Sequence, residues 1–418
     1  MKLFRILAVF PLAALAAHPS HKPAVRGATD DCVADVHDSV CMPNVVCGSD
    51  NVTYENSCTF RLAQCADPTL KEAARGGCSS EAEDGEESRS LAELHAAALK
   101  EGGNLVVYHG GDTPTQQSYV ADAFKAAYPD IKLTMVVDYS KYHNARVDNQ
   151  LATKSLVADV VALQTLNDYP RWKKEGKLLA YKPAGFGQIF DGFKDREGAW
   201  CSHAVFTFSY FYDSVLLGGV AAPTTAKDLA DPKYKGLIAS SYPHDDDAAL
   251  FVYSRYVQAY GWDWVRKLAQ NQVQFARGSH TPGEAVSSGR TPIGVAGSAP
   301  FTGNVTAITG KDAGSDYLAW GQRIAILKDA PHPAAAKLFL NWIVSKEVQS
   351  SVMNGFSPRK DLGGDTKPWE PKRANSLAFQ TFMEDRGAIE LLKATFALYF
   401  GEVRGEPTPG QLPLHVGQ

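Results

Sequence analysis

The chain has 418 residues, of which 44% are hydrophobic and 21% are charged, and its formal net charge is −4. This composition is ordinary for a globular protein, and the length suits roughly two or three domains. Because the charge is slightly negative and no basic tail or stripe is present, the sequence argues against nucleic acid as the main partner.

The first 17 residues predict a secretory signal peptide. Lys2 and Arg5 precede an apolar run from Ile6 to Ala17, which ends in small residues and is too short to span a bilayer. A buried helix would need an amphipathic pattern, which this run lacks. No later stretch is apolar over the length of a membrane span. We therefore expect a secreted, extracellular protein without a membrane span.

A cluster of cysteines predicts a small disulfide-rich domain at residues 30–79. The cluster consists of Cys32, Cys41, Cys47, Cys58, Cys65 and Cys78. A segment this short buries little apolar surface, so disulfides would supply much of its stability. Six cysteines allow fifteen pairings, and spacing alone leaves the pairing open. The remaining cysteine, Cys201, is expected to be a buried thiol.

The order of residues within this cluster resembles the Kazal family. The matching features are Val46-Cys47-Gly48-Ser49-Asp50, Thr53-Tyr54, Asn56 and Gly77. The resemblance covers residues 30–79, and it implies the disulfide pairs Cys32–Cys65, Cys41–Cys58 and Cys47–Cys78.

The resemblance also implies a serine protease as a partner, bound by a rigid loop after the second cysteine. Here this loop contains Met42, Pro43 and Asn44, with Pro43 at the specificity position. Proline suits few serine-protease pockets, and the stretch between Cys41 and Cys47 is shorter than in inhibitory members. A spacer or recognition module without inhibitory activity is therefore the competing interpretation.

Residues 80–90 are acidic and contain no large apolar side chain, which predicts a solvated linker. Two sequons, at Asn51 and Asn304, predict N-glycosylation sites in a secreted chain.

From residue 91 to residue 418, predicted strands alternate with predicted helices. The strands are residues 104–108, 131–137, 159–163, 204–212, 236–240, 291–296 and 322–327. The helices begin at Asp112 or Thr113, near Asn167 and after residues 244–247, and continue with residues 334–344, 346–353 and 376–392. This alternation is typical of an α/β fold with a parallel sheet and helices on both faces. The strand at residues 204–212 is expected to cross between two lobes, and the proline-rich end of the chain is expected to fray.

Several short motifs give this region a family resemblance. They are Val106-Val107-Tyr108-His109-Gly110-Gly111-Asp112, Ala158-Asp159-Val160-Val161, Pro232-Lys233-Tyr234-Lys235-Gly236 and the stretch from Lys328 to Lys337. Their order resembles the type II periplasmic solute-binding proteins, especially the iron(III) carriers of ABC transporters. The resemblance implies two α/β lobes that hold a small molecule or an ion in the cleft between them. We expect a monomer without a cofactor.

The iron ligands of those carriers have no counterparts here. Their adjacent tyrosines fall near Ser298-Ala299, their histidine near Asp112 and their carboxylate near Gln164. The sequence therefore does not predict an iron site, and the identity of any metal stays open.

Two loops at predicted helix starts, together with Gln164, supply the candidate ligand-binding residues. They are His109, Gly110, Gly111, Asp112 and Thr113 in one loop, and His244, Asp245, Asp246 and Asp247 in the other. Carboxylates facing a cleft suit a cationic or hydroxyl-rich solute or a hard metal ion, and they repel phosphate or sulfate. The competing interpretation is that these aspartates only cap helices and the histidines are structural.

The sequence contains no nucleophile elbow, no zinc-protease helix motif and no phosphate-binding loop, so we expect no enzymatic activity. Three hypotheses remain. The first is a secreted solute-binding protein with an added Kazal-like module. The second is a protease inhibitor with an added ligand-binding domain, and the third is an enzyme on a binding-protein scaffold.

Overall fold

The computed structural model describes residues 46–49, 53–54, 57–75, 85–353, 355–364, 367–408 and 412. The chain divides into two compact units, Met1–Ala82 and Glu83–Gln418. Several predicted features lie outside the described residues. These are the signal peptide, the loop residues Met42, Pro43 and Asn44, the sequon at Asn51, and Cys32, Cys41 and Cys78.

The first unit contains a three-stranded antiparallel sheet and a helix. Its elements are β1 (Val46–Gly48), β2 (Thr53–Tyr54), α1 (Ser57–Ala66) and β3 (Glu72–Arg75), with sheet order β2-β1-β3. Phe60 of α1 packs with Val46 and Leu70 in a small core. Cys58 and Cys65 lie on the same helix, and both are buried and disulfide-bonded. The pairing implied by the Kazal resemblance stays a prediction.

The second unit alternates strands and helices. Its strands are β4 (Asn104–Gly110), β5 (Lys132–Asp138), β6 (Val160–Leu163), β7 (Cys201–Asp213), β8 (Ile238–Ser241), β9 (Gln274–Ala276), β10 (Ile293–Gly297), β11 (Val305–Ala307) and β12 (Leu318–Ile326). Its helices are α2 (Leu91–Glu101), α3 (Ser118–Ala127), α4 (Ser140–Ala152), α5 (Asp168–Lys174), α6 (Asp247–Tyr260), α7 (Trp262–Gln270), α8 (Thr281–Ser287), α9 (Pro333–Val344), α10 (Lys346–Ser351), α11 (Ser376–Glu384) and α12 (Arg386–Phe400). Among the described residues, no helix combines the length and apolar character that crossing a membrane requires.

Two long antiparallel strands connect two lobes. The sheet order is β5-β4-β6-β12-β7-β10-β8-β9. The first lobe contains the parallel strands β5, β4 and β6, and the second contains the parallel strands β10, β8 and β9. Between them, β7 pairs with β12 up to Phe208 and with β10 from Ser209 onward. The structure therefore confirms the two-lobed α/β fold, and β7 is the strand expected to cross between lobes.

Each lobe has its own hydrophobic core. In the first lobe, Phe124 and Phe339 pack from α3 and α9 against one face of the sheet, and Trp172 packs from α5 against the other. In the second lobe, Tyr253 and Phe396 pack from α6 and α12. Strands buried on both faces have continuous apolar sequences, as β6 does, because neither face contacts water. The two lobes therefore have separate cores and are joined by the long strands β7 and β12.

Three helical predictions differ from the structure. The helix expected to begin at Asp112 or Thr113 is α3, which begins at Ser118 after a series of turns. The Asp112 side chain accepts hydrogen bonds from Ser279 instead of capping that helix. The single helix expected at residues 376–392 is divided into α11 and α12, because Asp385 ends the first and caps the second through Ala388 N.

Residues of two segments, the expected solvated linker and the tail expected to fray, contact other parts of the second unit. At the end of the expected linker, Glu87 is 7% exposed and accepts a hydrogen bond from Tyr181. In the C-terminal tail, Thr408 donates to Asp138 of the first lobe. Both contacts satisfy buried or partly buried carboxylates, which explains why these segments are held in place.

Candidate functional site

A cavity of about 150 Å³ lies between the two lobes. It forms where the parallel strands of the first lobe end, because the carboxyl ends of such strands meet at one edge of a sheet. Gly110, Tyr139 and Gln164 all line the cavity, and they stand at or just after the ends of β4, β5 and β6. The start of α6 faces them from the second lobe with Asp245, Asp246 and Asp247.

Two glycines allow the backbone to pass close to neighbouring groups at this edge. A Cβ atom on Gly110 would lie 2.3 Å from Ser140 Oγ, and one on Gly111 would lie 2.5 Å from Val137 Cγ1. Both distances are below van der Waals contact, so a larger residue would require either the loop or the neighbouring side chain to shift. The two glycines therefore let the loop lie close to Ser140 and Val137.

Two sets of contacts join the lobes across the cavity. Lys141 Nζ lies 2.6 Å from Asp245 Oδ1 and also donates to the Asp245 carbonyl oxygen at 3.2 Å. Asp112 Oδ2 accepts from Ser279 Oγ at 2.6 Å and from Ser279 N at 2.9 Å. We call these contacts the interlobe latch. They connect the two lobes directly across the cavity.

The other charged groups of the cavity are also paired. Asp247 binds Arg386 at 2.9 Å and Lys393 at 2.8 Å, both from α12. Burial acts to raise the pKa of Asp247, but these two cations lower it overall. Arg277 lies 3.3 Å from Asp245, which adds a second cation to the carboxylate already bound by the latch.

Asp246 has a different environment. Its Oδ1 accepts from Ala248 N and Ala249 N at 2.8 Å each, so it caps α6. Burial raises the pKa of Asp246 to about 7, and the nearby carboxylates of Asp112 and Asp247 act in the same direction. A carboxyl group with this pKa is partly protonated at neutral pH and can then donate a hydrogen bond.

Two neutral polar atoms that line the cavity have no hydrogen-bond partner. They are Thr165 Oγ1 and Asn167 Oδ1, both buried and both in the loop after β6. Thr165 as a whole is only 7% exposed. Buried polar groups in folded proteins nearly always have a partner, and in this structure both oxygens can still accept a further hydrogen bond.

The floor of the cavity is aromatic and comes from the crossing strands. Trp320 lies 4.9 Å from Phe208 and 5.6 Å from Phe206, measured between ring centroids. Gln322 shares this face of β12 with Trp320, because side chains two residues apart on a strand point the same way. A cavity with an apolar floor and a few polar groups is typical of small-molecule sites.

Most of the predicted candidates line this cavity. Those that do are Gly110, Gly111, Asp112, Gln164, Asp245, Asp246 and Asp247. Their role in binding a ligand stays a prediction. The competing interpretation, that these aspartates only cap helices, applies to one of the two loops. Asp246 caps α6, whereas Asp112 contacts the opposite lobe.

Three predicted candidates do not line the cavity. His109 is 1% exposed, and its Nδ1 donates to Gly110 O, so its Nε2 accepts from His203 at 3.2 Å. Burial lowers the pKa of His109 to about 4, which keeps it neutral. His244 contacts Gly401 O at 2.8 Å, on the side of the C-terminal segment. Thr113 lies in the turns that precede α3.

Sequence reasoning missed the residues that come from distant parts of the chain. These are Lys141 and Asn144 at the start of α4, Ser279 before α8, Trp320 on β12, and Arg386 and Lys393 on α12. Gln322 could have been predicted as a site residue, because it is a polar residue in a strand that is buried along its whole length.

Within the described residues, no group of three or more His, Cys, Asp or Glu side chains is arranged to hold a metal ion. The carboxylates of Asp245 and Asp247 are instead occupied by lysine and arginine. The hard-metal interpretation of this aspartate run therefore has no support from the geometry.

Comparisons with known proteins identify the family. Residues 157–377 match the family described as bacterial extracellular solute-binding protein, which is more than half of the chain. The chain therefore belongs to that family. Residues 32–79 match the Kazal-type serine protease inhibitor domain, which confirms the resemblance of the cysteine-rich segment.

Relatives and solved structures agree with this assignment. An uncharacterized protein of Haemophilus influenzae is 25% identical over 321 residues, covering 72% of this chain and 91% of the relative. The fold is similar to AfuA from Actinobacillus pleuropneumoniae, with a bound fructose-6-phosphate (TM-score 0.57, 18% identity, 71% of this chain and 98% of that one). It is also similar to iron-bound HitA from Pseudomonas aeruginosa (TM-score 0.55, 17% identity, 70% and 99%). At these identities the likeness concerns the fold alone.

Proposed function

We propose that this protein is an exported solute-binding protein that captures a small ligand in the cavity between its lobes. The observation that carries the proposal is that both lobes line one cavity and contact each other across it through the interlobe latch. A ligand that touches both lobes interacts more strongly with the closed arrangement than with an open one. Such a difference in affinity is what drives closure in hinged proteins.

The connection between the lobes suits this motion. β7 and β12 are the long strands that belong to both lobes, and they form the cavity floor. Changes of a few backbone angles where β7 and β12 pass from one lobe to the other would open the cavity. Ligand bound on that floor would then be enclosed by the two helix starts at Ser140 and Asp247.

Export is supported by the signal-peptide pattern of residues 1–17 and by the cysteine-rich segment. Asn304 is exposed in the structure, so its sequon is accessible to a glycosyltransferase if the chain passes through a secretory pathway. The place of action would be outside the cytoplasm.

A thermal-shift screen of the full chain with sugars, polyols, amino acids, polyamines, organic acids and metal ions tests the proposal. A ligand that binds only the folded state raises the unfolding temperature by mass action. Ser298→Trp, which places an indole in the cavity, should abolish the shift. Ser287→Trp, on an exposed position of α8, should preserve it. The absence of any shift, or a shift unaffected by Ser298→Trp, would contradict the proposal.

The match of residues 32–79 to the Kazal-type inhibitor domain favours a second candidate function, inhibition of a serine protease. Titration of the full chain against trypsin-, elastase- and subtilisin-like proteases tests it, with Pro43→Arg as a variant whose side chain suits trypsin. Stoichiometric inhibition would support the function. No inhibition by either chain at micromolar concentration would mean that the segment serves as a spacer or recognition module.

A further inference from the structure

We propose that the interlobe cavity binds a small, uncharged, hydroxyl-rich solute, a monosaccharide or cyclic polyol, through Thr165, Asn167 and the neighbouring amide side chains. This inference rests on the proposed function, because it names the chemical class of the ligand that the closing lobes would capture. It differs from the bound species named for AfuA and HitA, which carry charge.

Most charges in and around the cavity already compensate one another. Asp245 faces Lys141 and Arg277, and Asp247 faces Arg386 and Lys393. Asp112 lies 3.5 Å from His280, and the hydrogen bond with Asp112 raises the pKa of that histidine. An ionic ligand would have to separate one of these pairs and leave a partner poorly compensated in a partly buried site.

Asp246 is the exception, and it favours the same conclusion. Among the described residues no basic side chain pairs with it, and one of its oxygens caps α6. Burial raises its pKa to about 7, so near neutral pH it exists partly as a neutral carboxyl group. A neutral carboxyl group both donates and accepts hydrogen bonds, which matches a hydroxyl group.

Two buried oxygens without a hydrogen bond or an ion pair belong to neutral residues that line the cavity. Thr165 Oγ1 can donate or accept, and Asn167 Oδ1 accepts. Gln164 and Gln322 bring amide groups to the same cavity from β6 and β12. A ligand with several hydroxyl groups can satisfy such a mixture of donors and acceptors, whereas an ion of one sign cannot.

The size and lining of the cavity also suit a small ring. A cavity of about 150 Å³ is the size that accommodates a single small ring in a protein interior. Its floor presents the aromatic side chains of Trp320, Phe206 and Phe208. A sugar or polyol ring has an apolar C–H face that can cover such a floor while its hydroxyl groups reach the polar walls.

Calorimetric titration of the full chain with matched pairs of solutes tests the inference. The neutral set is glucose, fructose and myo-inositol, and the charged set is fructose-6-phosphate, citrate, putrescine and ferric ion. We expect at least one neutral solute to bind, and its charged analogues to bind about tenfold more weakly or not at all. Thr165→Val and Asn167→Ala should each lower the affinity for the neutral solute about tenfold. Thr302→Val, at an exposed position outside the cavity, should leave it unchanged.

The outcomes separate the inference from the proposed function. A charged solute that binds more tightly than every neutral one, and whose binding is lost in Ser298→Trp, would overturn the inference and retain the proposed function. Unchanged affinity for the neutral solute in both Thr165→Val and Asn167→Ala would also overturn it. If no solute of either set binds up to millimolar concentration, both the inference and the proposed function fail.

Discussion

Removal of the Lys141 ammonium group should make the lobes open more often. In the structure Lys141 Nζ lies 2.6 Å from Asp245 Oδ1, and the side chains of Lys141 and Asp245 are 37% and 12% exposed. Because the lysine is more than one-third exposed, solvent screens the pair, and we assign it about 1 kcal/mol. Lys141→Met keeps the aliphatic part of the side chain and should increase the opening equilibrium constant about fivefold.

The amide of Ser279 is a direct reporter of this change, because it donates to Asp112 Oδ2 across the cavity. Hydrogen–deuterium exchange of a peptide containing Ser279 should become about fivefold faster in Lys141→Met. The amide of Leu250, which donates to Asp246 O within the second lobe, should be unaffected. High salt should accelerate exchange at Ser279 in the unmodified chain but not in the variant.

Lys125→Met is the matched control, since Lys125 is exposed on α3 of the same lobe. It should leave exchange at Ser279 unchanged. If Lys141→Met left the Ser279 amide as protected as before, the ion pair would make no contribution to closure, contrary to this prediction. Equal acceleration at Leu250 would indicate a general loss of stability instead of opening.

Three further predictions concern ionisable groups. The pKa of Asp246 is raised from 3.8 to about 7, so the folded chain loses stability as pH rises through this range. Asp246→Asn should therefore raise the free energy of unfolding by about 2 kcal/mol at pH 8. It should have no such effect below pH 4. The hydrogen bond with Arg89 lowers the pKa of Glu87 to about 2, so Glu87→Gln should cost about 2 kcal/mol at pH 7 and little near pH 2 in a denaturant titration. Burial raises the pKa of Cys201 to about 12, so iodoacetamide should label this thiol only after unfolding, as peptide mass spectrometry would show.

The sequence predicted strands at the positions of β4 to β8, β10 and β12, because strands buried on both faces must be apolar along their length. It did not predict the short strands β9 and β11, which are partly exposed and lack that pattern. β6 and β12 are buried at every position. Strand ends were less certain, since burial declines gradually there while hydrogen bonding decides the boundary. The pattern also could not separate α11 from α12, because the apolar spacing continues through Asp385 and only the capping hydrogen bond to Ala388 divides them.

The cavity was predicted where it depends on local chain geometry and missed where it depends on long-range packing. Glycines and aspartates that follow β4 and β8 indicate loops at a sheet edge. Of these residues, Gly110, Asp112 and Asp246 do line the cavity. His109 looked equally suitable, yet its ring packs inward against His203 from β7. The environment of a strand-end side chain depends on residues that folding brings beside it, and His203 lies 94 residues further along the chain, on a strand that is not adjacent to β4 in the sheet.

The charge pairs of the cavity and the proposed ligand class are physically linked through the latch. A charged ligand would compete with Lys141 or Asp245 for the partner that each already has across the cavity. Its binding would therefore weaken a contact that closes the lobes, and part of its binding free energy would be lost. An uncharged ligand held by Thr165 and Asn167 would leave the latch intact, so ligand contacts and lobe contacts would favour the same closed state. If the proposal holds, we therefore expect closure and capture to be positively coupled for neutral solutes, and ions that separate these pairs to be disfavoured.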